Sequence, residues 1–316
     1  VGFGKWPGAS DRGTGMTVQK MFIFGAGYSG KATAQAKPDN AHVAGTTRSP
    51  EKFEALRQAG IKPFVFDGTL TDELAAELAE TTHLLISIAP DEAGDPVLNA
   101  AREKVLHGMP KLQWIGYLST VGVYGDHGGA WVDETGECRP VSRRSVMRLK
   151  AENEWLALGA ESGLPVAVLR LSGIYGPGRN ALVNLTNGTA KRLIKPDQVF
   201  NRIHGEDIAG AAWHLAQQNM GGVFNVTDDM PSPPQDVVTY AAGLMGATPP
   251  PEIPFETAQL SPMARSFYGE NKRVSNAAIK ATGFRFRYPD YQTGFDAMWE
   301  TGNWNEGEPR SPMKRG

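Results

Sequence analysis

Lys20-Met-Phe-Ile-Phe-Gly-Ala-Gly-Tyr-Ser-Gly30 is an apolar run that leads into Gly25, Gly27 and Gly30, followed by the small-residue stretch Lys31-Ala-Thr-Ala34. The run reads as a strand and the stretch after it as a helix start. That order is what a dinucleotide requires. The first glycine permits a tight turn, the second lets the backbone approach a pyrophosphate, and the third lets the helix pack closely on its strand. The helix start, at Tyr28 and Ser29, supplies N–H groups for the phosphates. A lone GxGxxG is common by chance; its place between a strand and a helix makes it informative.

Outward from that point, apolar or β-branched runs recur at 21–25, 42–46, 63–66, 83–88, 113–118 and 165–171. Helical patterns fill the intervals at 29–36, 50–59, 71–80, 96–107 and 145–162. Gly222–Thr227 reads as one more strand. The alternation predicts an α/β fold, a Rossmann-type doubly wound parallel sheet of about seven strands. Beyond Gly176 shorter helical stretches (182–192, 205–218, 234–246, 274–281) are broken by Pro-rich segments such as Pro249-Pro-Pro251. Residues of about 176–200 and 228–300 are expected to form a small, irregular C-terminal substrate lobe on a single domain spanning 17–302. Residues 1–16 read as an N-terminal extension without the apolar core of a signal peptide, with Met16 a candidate start. Residues 303–316 read as a loose tail.

Composition narrows the function. No run of 18 apolar residues exists, so no transmembrane helix is expected. The formal net charge is −2 and no basic stripe is present, which argues against nucleic acid as partner. Cys138 is the sole cysteine, so no intrachain disulfide forms and a reducing, cytoplasmic setting is expected. There is no HExxH, no CxxC and no close acid/histidine cluster, so no metal is inferred. A monomer or homodimer acting on a small molecule is the expectation.

The second strand ends Val43-Ala-Gly-Thr-Thr-Arg48. An NAD site carries an Asp or Glu near this point for the ribose 2′-OH; here Arg48 stands there, flanked by Thr47 and Ser49. An arginine can meet a 2′-phosphate through a charge-assisted pair, so NADP is expected in preference to NAD. The third strand ends at Asp67, which either caps the next turn or accepts from an adenine amino group. The fourth ends Ser87-Ile-Ala89, where small residues would let the backbone pass close to ribose or nicotinamide.

Further segments extend this pattern: Tyr117-Leu-Ser-Thr-Val-Gly-Val-Tyr-Gly125, Leu169-Arg-Leu-Ser-Gly-Ile-Tyr-Gly-Pro-Gly178, Asn201-Arg-Ile-His-Gly-Glu-Asp-Ile208, Phe224-Asn-Val-Thr227 and Asn271-Lys-Arg-Val-Ser-Asn276. With Gly25–Gly30, in this order, they make the chain resemble an extended short-chain dehydrogenase/reductase of the epimerase/dehydratase group, over residues 20 to 300. Extended members usually show GxxGxxG, whereas this chain reads GxGxxG, which suggests an atypical subgroup.

The resemblance implies catalytic positions. A Ser or Thr four residues before the tyrosine of the VYG motif corresponds to Thr120, whose hydroxyl would bond a substrate oxygen. A YxxxK pair follows in the family, Tyr as general acid/base and Lys lowering its pKa. In Arg143-Arg-Ser-Val-Met-Arg-Leu-Lys150 there is no tyrosine. Its position falls on Arg144, Ser145 or Val146, and the lysine position on Arg148, Leu149 or Lys150. The cation can survive here, with Lys150 the candidate; the acid/base does not. Tyr175, in the loop that in the family approaches nicotinamide, is a candidate replacement acid. Tyr124 is expected to pack, His127 to be a solvated loop residue, and His204 to make a structural hydrogen bond. The implied function is an NADP-dependent oxidoreductase or epimerase acting on a small carbonyl or sugar-like substrate. The alternative is a catalytically weak or inactive NADP-binding protein that senses redox state.

Overall fold

The computed structural model describes residues 18–305. Seven parallel strands form its central sheet: β1 (Gln19–Phe24), β2 (Ala41–Thr47), β3 (Ile61–Val65), β4 (His83–Ile86), β5 (Trp114–Thr120), β6 (Val166–Leu171) and β7 (Gly222–Val226). Their order is β7-β6-β5-β4-β1-β2-β3. The order reverses between β1 and β4, where Ile23 lies opposite both Gly45 and Leu85. In open sheets of this kind, ligands bind outside the carboxyl ends of the strands at such a reversal.

Strand alternation explains the two layers. Met21 and Ile23 face one core, with Val43, Ile61 and Leu85. Phe22 and Phe24 face the other, with Phe64, Phe66, Leu84 and Ile86. Helices α1 (Tyr28–Gln35), α2 (Phe53–Gln58) and α7 (Gly205–Gln217) cover the first face. Helices α3 (Asp72–Ala79), α4 (Pro96–His107) and α5 (Arg143–Ser162) cover the second. Their starts obey local chemistry. The Asp95 carboxylate accepts from Val97 N and Leu98 N at 2.8 and 3.0 Å, with Pro96 at the first helical position. Ser142 caps α5, and Gly163 ends it in the left-handed region at φ 72°.

The lobe has its own core, in which Tyr175, Leu182, Val237, Ala241, Tyr291, Phe295, Met298 and Trp304 pack together. Residues 192–194 pair in parallel with 252–254 inside it, 173–175 pair with 202–204 at its border, and 131–132 pair with 273–274, which ties it to the segment after β5. The helix expected at 182–192 is only α6 (Ala181–Thr186), because the chain turns at Gly188 (φ 67°) and Arg192–Ile194 becomes a strand. The helix expected from 274 begins at Ala277, since Arg273–Val274 pairs with Trp131–Val132. The tail expected from 303 still holds a packed residue. Trp304 is buried, stacks on Trp299, and its carbonyl accepts from Gly178 N at 2.9 Å and Asn180 Nδ2 at 2.7 Å. The extension at 1–16 and the tail from 306 lie outside the described residues.

Candidate active site

Each glycine of the opening motif has a distinct geometric reason. Gly25 ends β1 at φ 85°, and a Cβ there would lie 2.7 Å from Ile88 Cγ1 and 3.1 Å from Ile88 N. The turn therefore closes directly on Ser87 and Ile88 across the reversal, and Ser87 N donates to Phe24 O at 2.8 Å. Ala89 is exposed beside them. Gly30 sits inside α1, where a Cβ would be 3.2 Å from Ile23 Cγ2 and 3.3 Å from Gly25 O. Gly27 is different. It caps α1 at φ −81°, and a Cβ would meet only Gly25 O, at 4.0 Å. No described atom crowds Gly27, so the open space over the helix start is a cradle that a side chain would fill. A pyrophosphate fits it: the first-turn N–H groups of a helix have no acceptor within the helix and point toward this space. Ser29 is buried, so its contribution is its backbone. Thr46, which sequence reading passed over, holds the loop from β2. Its Oγ1 accepts from Gly25 N at 2.9 Å and its carbonyl from Ala26 N at 2.8 Å.

Arg48 is exposed at the end of β2, with no ion pair to any described carboxylate. Thr47 Oγ1 accepts from Ser49 N at 3.3 Å, shaping the turn that presents it. An unpaired guanidinium at this edge suits a 2′-phosphate. Arg48→Ala is therefore expected to weaken NADPH binding by roughly 10- to 100-fold, the loss of one charge-assisted contact of about 1.5–3 kcal/mol, and to leave NADH binding nearly unchanged. Equal losses for both cofactors in a fluorescence titration would remove Arg48 from the site. Of the two readings of Asp67, the geometry supplies the turn cap: Oδ1 accepts from Thr69 N at 3.1 Å.

Thr120 ends β5 at the carboxyl edge of the sheet, and its Oγ1 accepts from Gly122 N at 3.1 Å. The phase of α5 decides what stands beside it. Ser145 is the buried residue of the first turn, while Arg144 and Val146 are exposed. Its Oγ is 2.9 Å from Ser142 Oγ. A Cβ at Gly122 would lie 2.8 Å from Ser145 Oγ and 3.3 Å from Thr120 Oγ1, so the two hydroxyls flank one glycine. One turn on, Arg148 points inward. It donates to the Leu118 carbonyl, and its guanidinium lies 5.7 Å over the Tyr117 ring. Leu149 packs against Val121, Val123 and Tyr124. Lys150 does not join this group. Its side chain is 69% exposed and lies 3.7 Å from Glu154 on the outer face of the helix. The inward cation is Arg148, and Lys150 is corrected to a surface residue.

Tyr175 is also corrected. Its ring stacks on Phe295 at 5.6 Å, and its hydroxyl is 3.4 Å from Asp290 O. Burial pushes its pKa far above the ordinary tyrosine value, with nearby Asp228 adding to the shift. It is a core residue of the lobe rather than an exposed acid. His127 is half-buried in its loop: its Nε2 is 3.1 Å from Tyr124 O and 3.2 Å from Glu137 O, contacts that pin the loop. His204 is structural, as expected. Nδ1 accepts from Glu206 N at 3.2 Å and caps α7, and burial holds its pKa down to about 3. Cys138 is half-buried, and burial raises its thiol pKa.

Behind Thr120 lies a buried polar network. Arg170 Nη2 donates to Glu152 Oε2 at 2.8 Å, and Arg170 Nη1 donates to Tyr124 Oη at 2.9 Å. Tyr124 Oη donates to Asn225 Oδ1 at 2.8 Å, and Asn225 N donates to Glu134 Oε1 at 2.7 Å. Ser119 Oγ donates to Glu152. The network joins β5, β6 and β7 to α5 and holds the turn after Thr120. One sequence signal pointed to it, a lone arginine in the otherwise apolar strand Val166-Ala-Val-Leu-Arg-Leu171. Among the described residues no group of three His, Cys, Asp or Glu side chains is placed to hold a metal ion, and no helix is long and apolar enough to cross a membrane.

The model of the NAD dependent epimerase/dehydratase family matches residues 21–227. Protein YeeZ of Escherichia coli K12 is 29% identical over 293 residues, covering 86% of this chain and 97% of that protein. A solved structure described as a functionally unknown conserved protein from Silicibacter pomeroyi is 45% identical, with a TM-score of 0.81, covering 89% of this chain and 98% of that one. The human epimerase family protein SDR39U1, solved with NADPH, shares the fold at 18% identity and a TM-score of 0.68, covering 89% of this chain and 99% of its own.

Proposed function

The chain belongs to the NAD-dependent epimerase/dehydratase family, and on that premise we propose that it is an NADP(H)-dependent oxidoreductase or epimerase acting on a small carbonyl or sugar-like substrate. The observation that carries this reading is the open cradle over Gly27 with Arg48, unpaired among the described residues, at the neighbouring strand end. Gly25, Gly27, Gly30 and the first turn of α1 would hold the pyrophosphate, Thr47 and Arg48 the 2′-phosphate, and Ser87–Ala89 the far ribose. When bound, the nicotinamide would exchange hydride with a substrate carbon. Thr120 then orients the substrate oxygen: its Oγ1 already accepts from Gly122 N, which leaves its own proton to donate. Ser145 supplies a second hydroxyl at the same place. Arg148 is a fixed positive charge under the β5 end. It favours negative charge developing on a substrate oxygen, but it gives up no proton, since arginine stays charged.

Without a tyrosine of tuned pKa, turnover is expected to be about 10²- to 10⁴-fold below that of an enzyme with a positioned general acid. Thr120→Ala is expected to lower kcat/KM by at least about tenfold, the loss of one oriented hydrogen bond of roughly 1.4 kcal/mol, with NADPH affinity nearly unchanged. Following NADPH oxidation by the purified protein across a panel of aldehydes, ketones and keto sugars tests the proposal. A protein that binds NADPH tightly and oxidises it with none of them favours the second reading, a redox-sensing NADP-binding protein. The observation behind that reading is Ser145 and Leu149 on the inward face of α5, where an acid/base pair would stand.

A further inference from the structure

Tyr28 follows Gly27 and opens α1, yet its ring leaves the cradle and reaches the border of the lobe, between Gly176 and Gly205. Two glycines make room for it. A Cβ at Gly205 would lie 2.8 Å from Tyr28 Cε1 and 3.4 Å from Tyr28 Cζ, and a Cβ at Gly176 would overlap the Tyr28 hydroxyl. Gly176 belongs to the loop after residues 173–175, and Gly205 opens α7. The ring therefore sits in a notch built from two lobe-side segments whose own strands pair, Tyr175 opposite His204. His204 completes the notch. Its Nδ1 is committed to Glu206 N, so Nε2 carries the proton, and this Nε2 is buried and without a hydrogen-bond partner. A Cβ at Gly176 would lie 3.3 Å from it, which places Nε2 at the notch beside the Tyr28 hydroxyl. The His204 ring is itself held between Tyr175 and Tyr288, at centroid distances of 5.1 and 4.1 Å. Tyr288 is tied down in turn, its N donating to Asp207 Oδ2 at 3.0 Å and its hydroxyl to Glu206 Oε2 at 3.1 Å.

We propose that Tyr28 is a positioning residue that couples occupancy of the dinucleotide cradle to the 173–178 loop and to His204 at the start of α7, on the border of the substrate lobe. The proposal rests on the reading of Gly25–Gly30 as that cradle. The Tyr28 backbone N–H lies in the first turn that would bond the pyrophosphate, and its ring is wedged against both lobe segments. A shift of the Gly27–Tyr28 peptide toward a phosphate moves the ring in a notch that has no slack, because close-packed interiors transmit displacement rather than absorb it. Filling the cradle thus sets residues 173–178 before the nicotinamide half contributes anything.

Hydrogen exchange tests this, with 2′-phospho-ADP-ribose as the probe. The probe has the pyrophosphate and lacks the nicotinamide, so slowing in the lobe cannot come from nicotinamide contact. In the wild-type chain the probe is expected to slow exchange at residues 27–30, and by about fivefold or more at 173–178 and 203–206, the low end of coupling between sites. In Tyr28→Ala the slowing at 27–30 persists and the slowing in the lobe is lost, while Tyr28→Phe, which keeps the ring, retains both. Gly205→Ala pushes a methyl into the notch and is expected to uncouple the lobe in the same way; it carries the test if Tyr28→Ala does not fold. Undiminished lobe slowing in Tyr28→Ala or Gly205→Ala, or wild-type slowing confined to 27–30, overturns the proposal. No slowing at 27–30 in the wild type overturns the cradle reading itself, and the proposal with it.

Discussion

Gly27→Val is expected to weaken NADPH binding by roughly 10²- to 10⁴-fold while leaving a folded protein. The two halves of that result have separate causes. Within the protein, φ at Gly27 is −81° and only Gly25 O stands within reach of a Cβ, at 4.0 Å. The cost to the fold is the loss of a tolerable helix cap, about 1 kcal/mol, or a fall in Tm of about 2–4 °C. The cost to the ligand is larger. An isopropyl group over the first turn of α1 denies the pyrophosphate two or more charge-assisted bonds, each worth about 1.5–3 kcal/mol. Titration with NADPH beside thermal melting checks both halves. Retained affinity in a folded variant would move the cofactor away from this loop. Gly25→Val is the contrasting case, since φ 85° and the contact with Ile88 make that position strained before any ligand arrives.

The second large effect is on stability. Glu152→Ala is expected to destabilise the chain by about 3–5 kcal/mol, measured by urea denaturation, because it strands the Arg170 guanidinium in a dry interior. The pair is sealed, with side-chain exposures of 7% for Arg170 and 1% for Glu152. Ser119 and Tyr124 lose their partners in the same step or inherit an unbalanced charge. Replacing both charges by apolar side chains, Glu152→Leu with Arg170→Met, is expected to cost less than Glu152→Ala alone. A loss below about 1 kcal/mol for Glu152→Ala would mean that water reaches the pair, since an exposed ion pair is worth no more than that.

The sheet was legible in the chain because parallel strands covered on both faces must be apolar throughout, so they stand out as short continuous runs. Gly25, Gly27 and Gly30 were legible because each answers a local steric demand of one turn. Arg48 stood out by replacing the acid a 2′-hydroxyl would want. Spacing in α5 was not enough, because one residue of helix is 100° of rotation. Only the packed helix shows that Ser145 lies beside Thr120, that Arg148 turns in to Leu118 and Tyr117, and that Lys150 stays on the outer face. Tyr175 read as a candidate acid because the groups that bury it, Asp290 and Phe295, come from more than a hundred positions later. Beyond the lone arginine in its apolar strand, the Glu152–Arg170–Tyr124–Asn225 network was illegible for the same reason, as it is assembled from four elements that only the folded sheet brings together. The seam at Asn271 is another such case. Its N donates to Asp126 at 2.8 Å, and Val199 N donates to its Oδ1 at 3.2 Å, stitching the lobe to the loop after Tyr124.

The proposed chemistry requires a 2′-phosphorylated dinucleotide seated between Gly27 and Arg48. Calorimetric titration of the purified wild-type chain with NADPH and, separately, NADH tests it most directly. The account predicts saturable binding of NADPH at a single site, tighter than NADH by about tenfold or more, the worth of one charge-assisted contact to the 2′-phosphate. No saturable heat with NADPH, or equal affinity for the two, would contradict it.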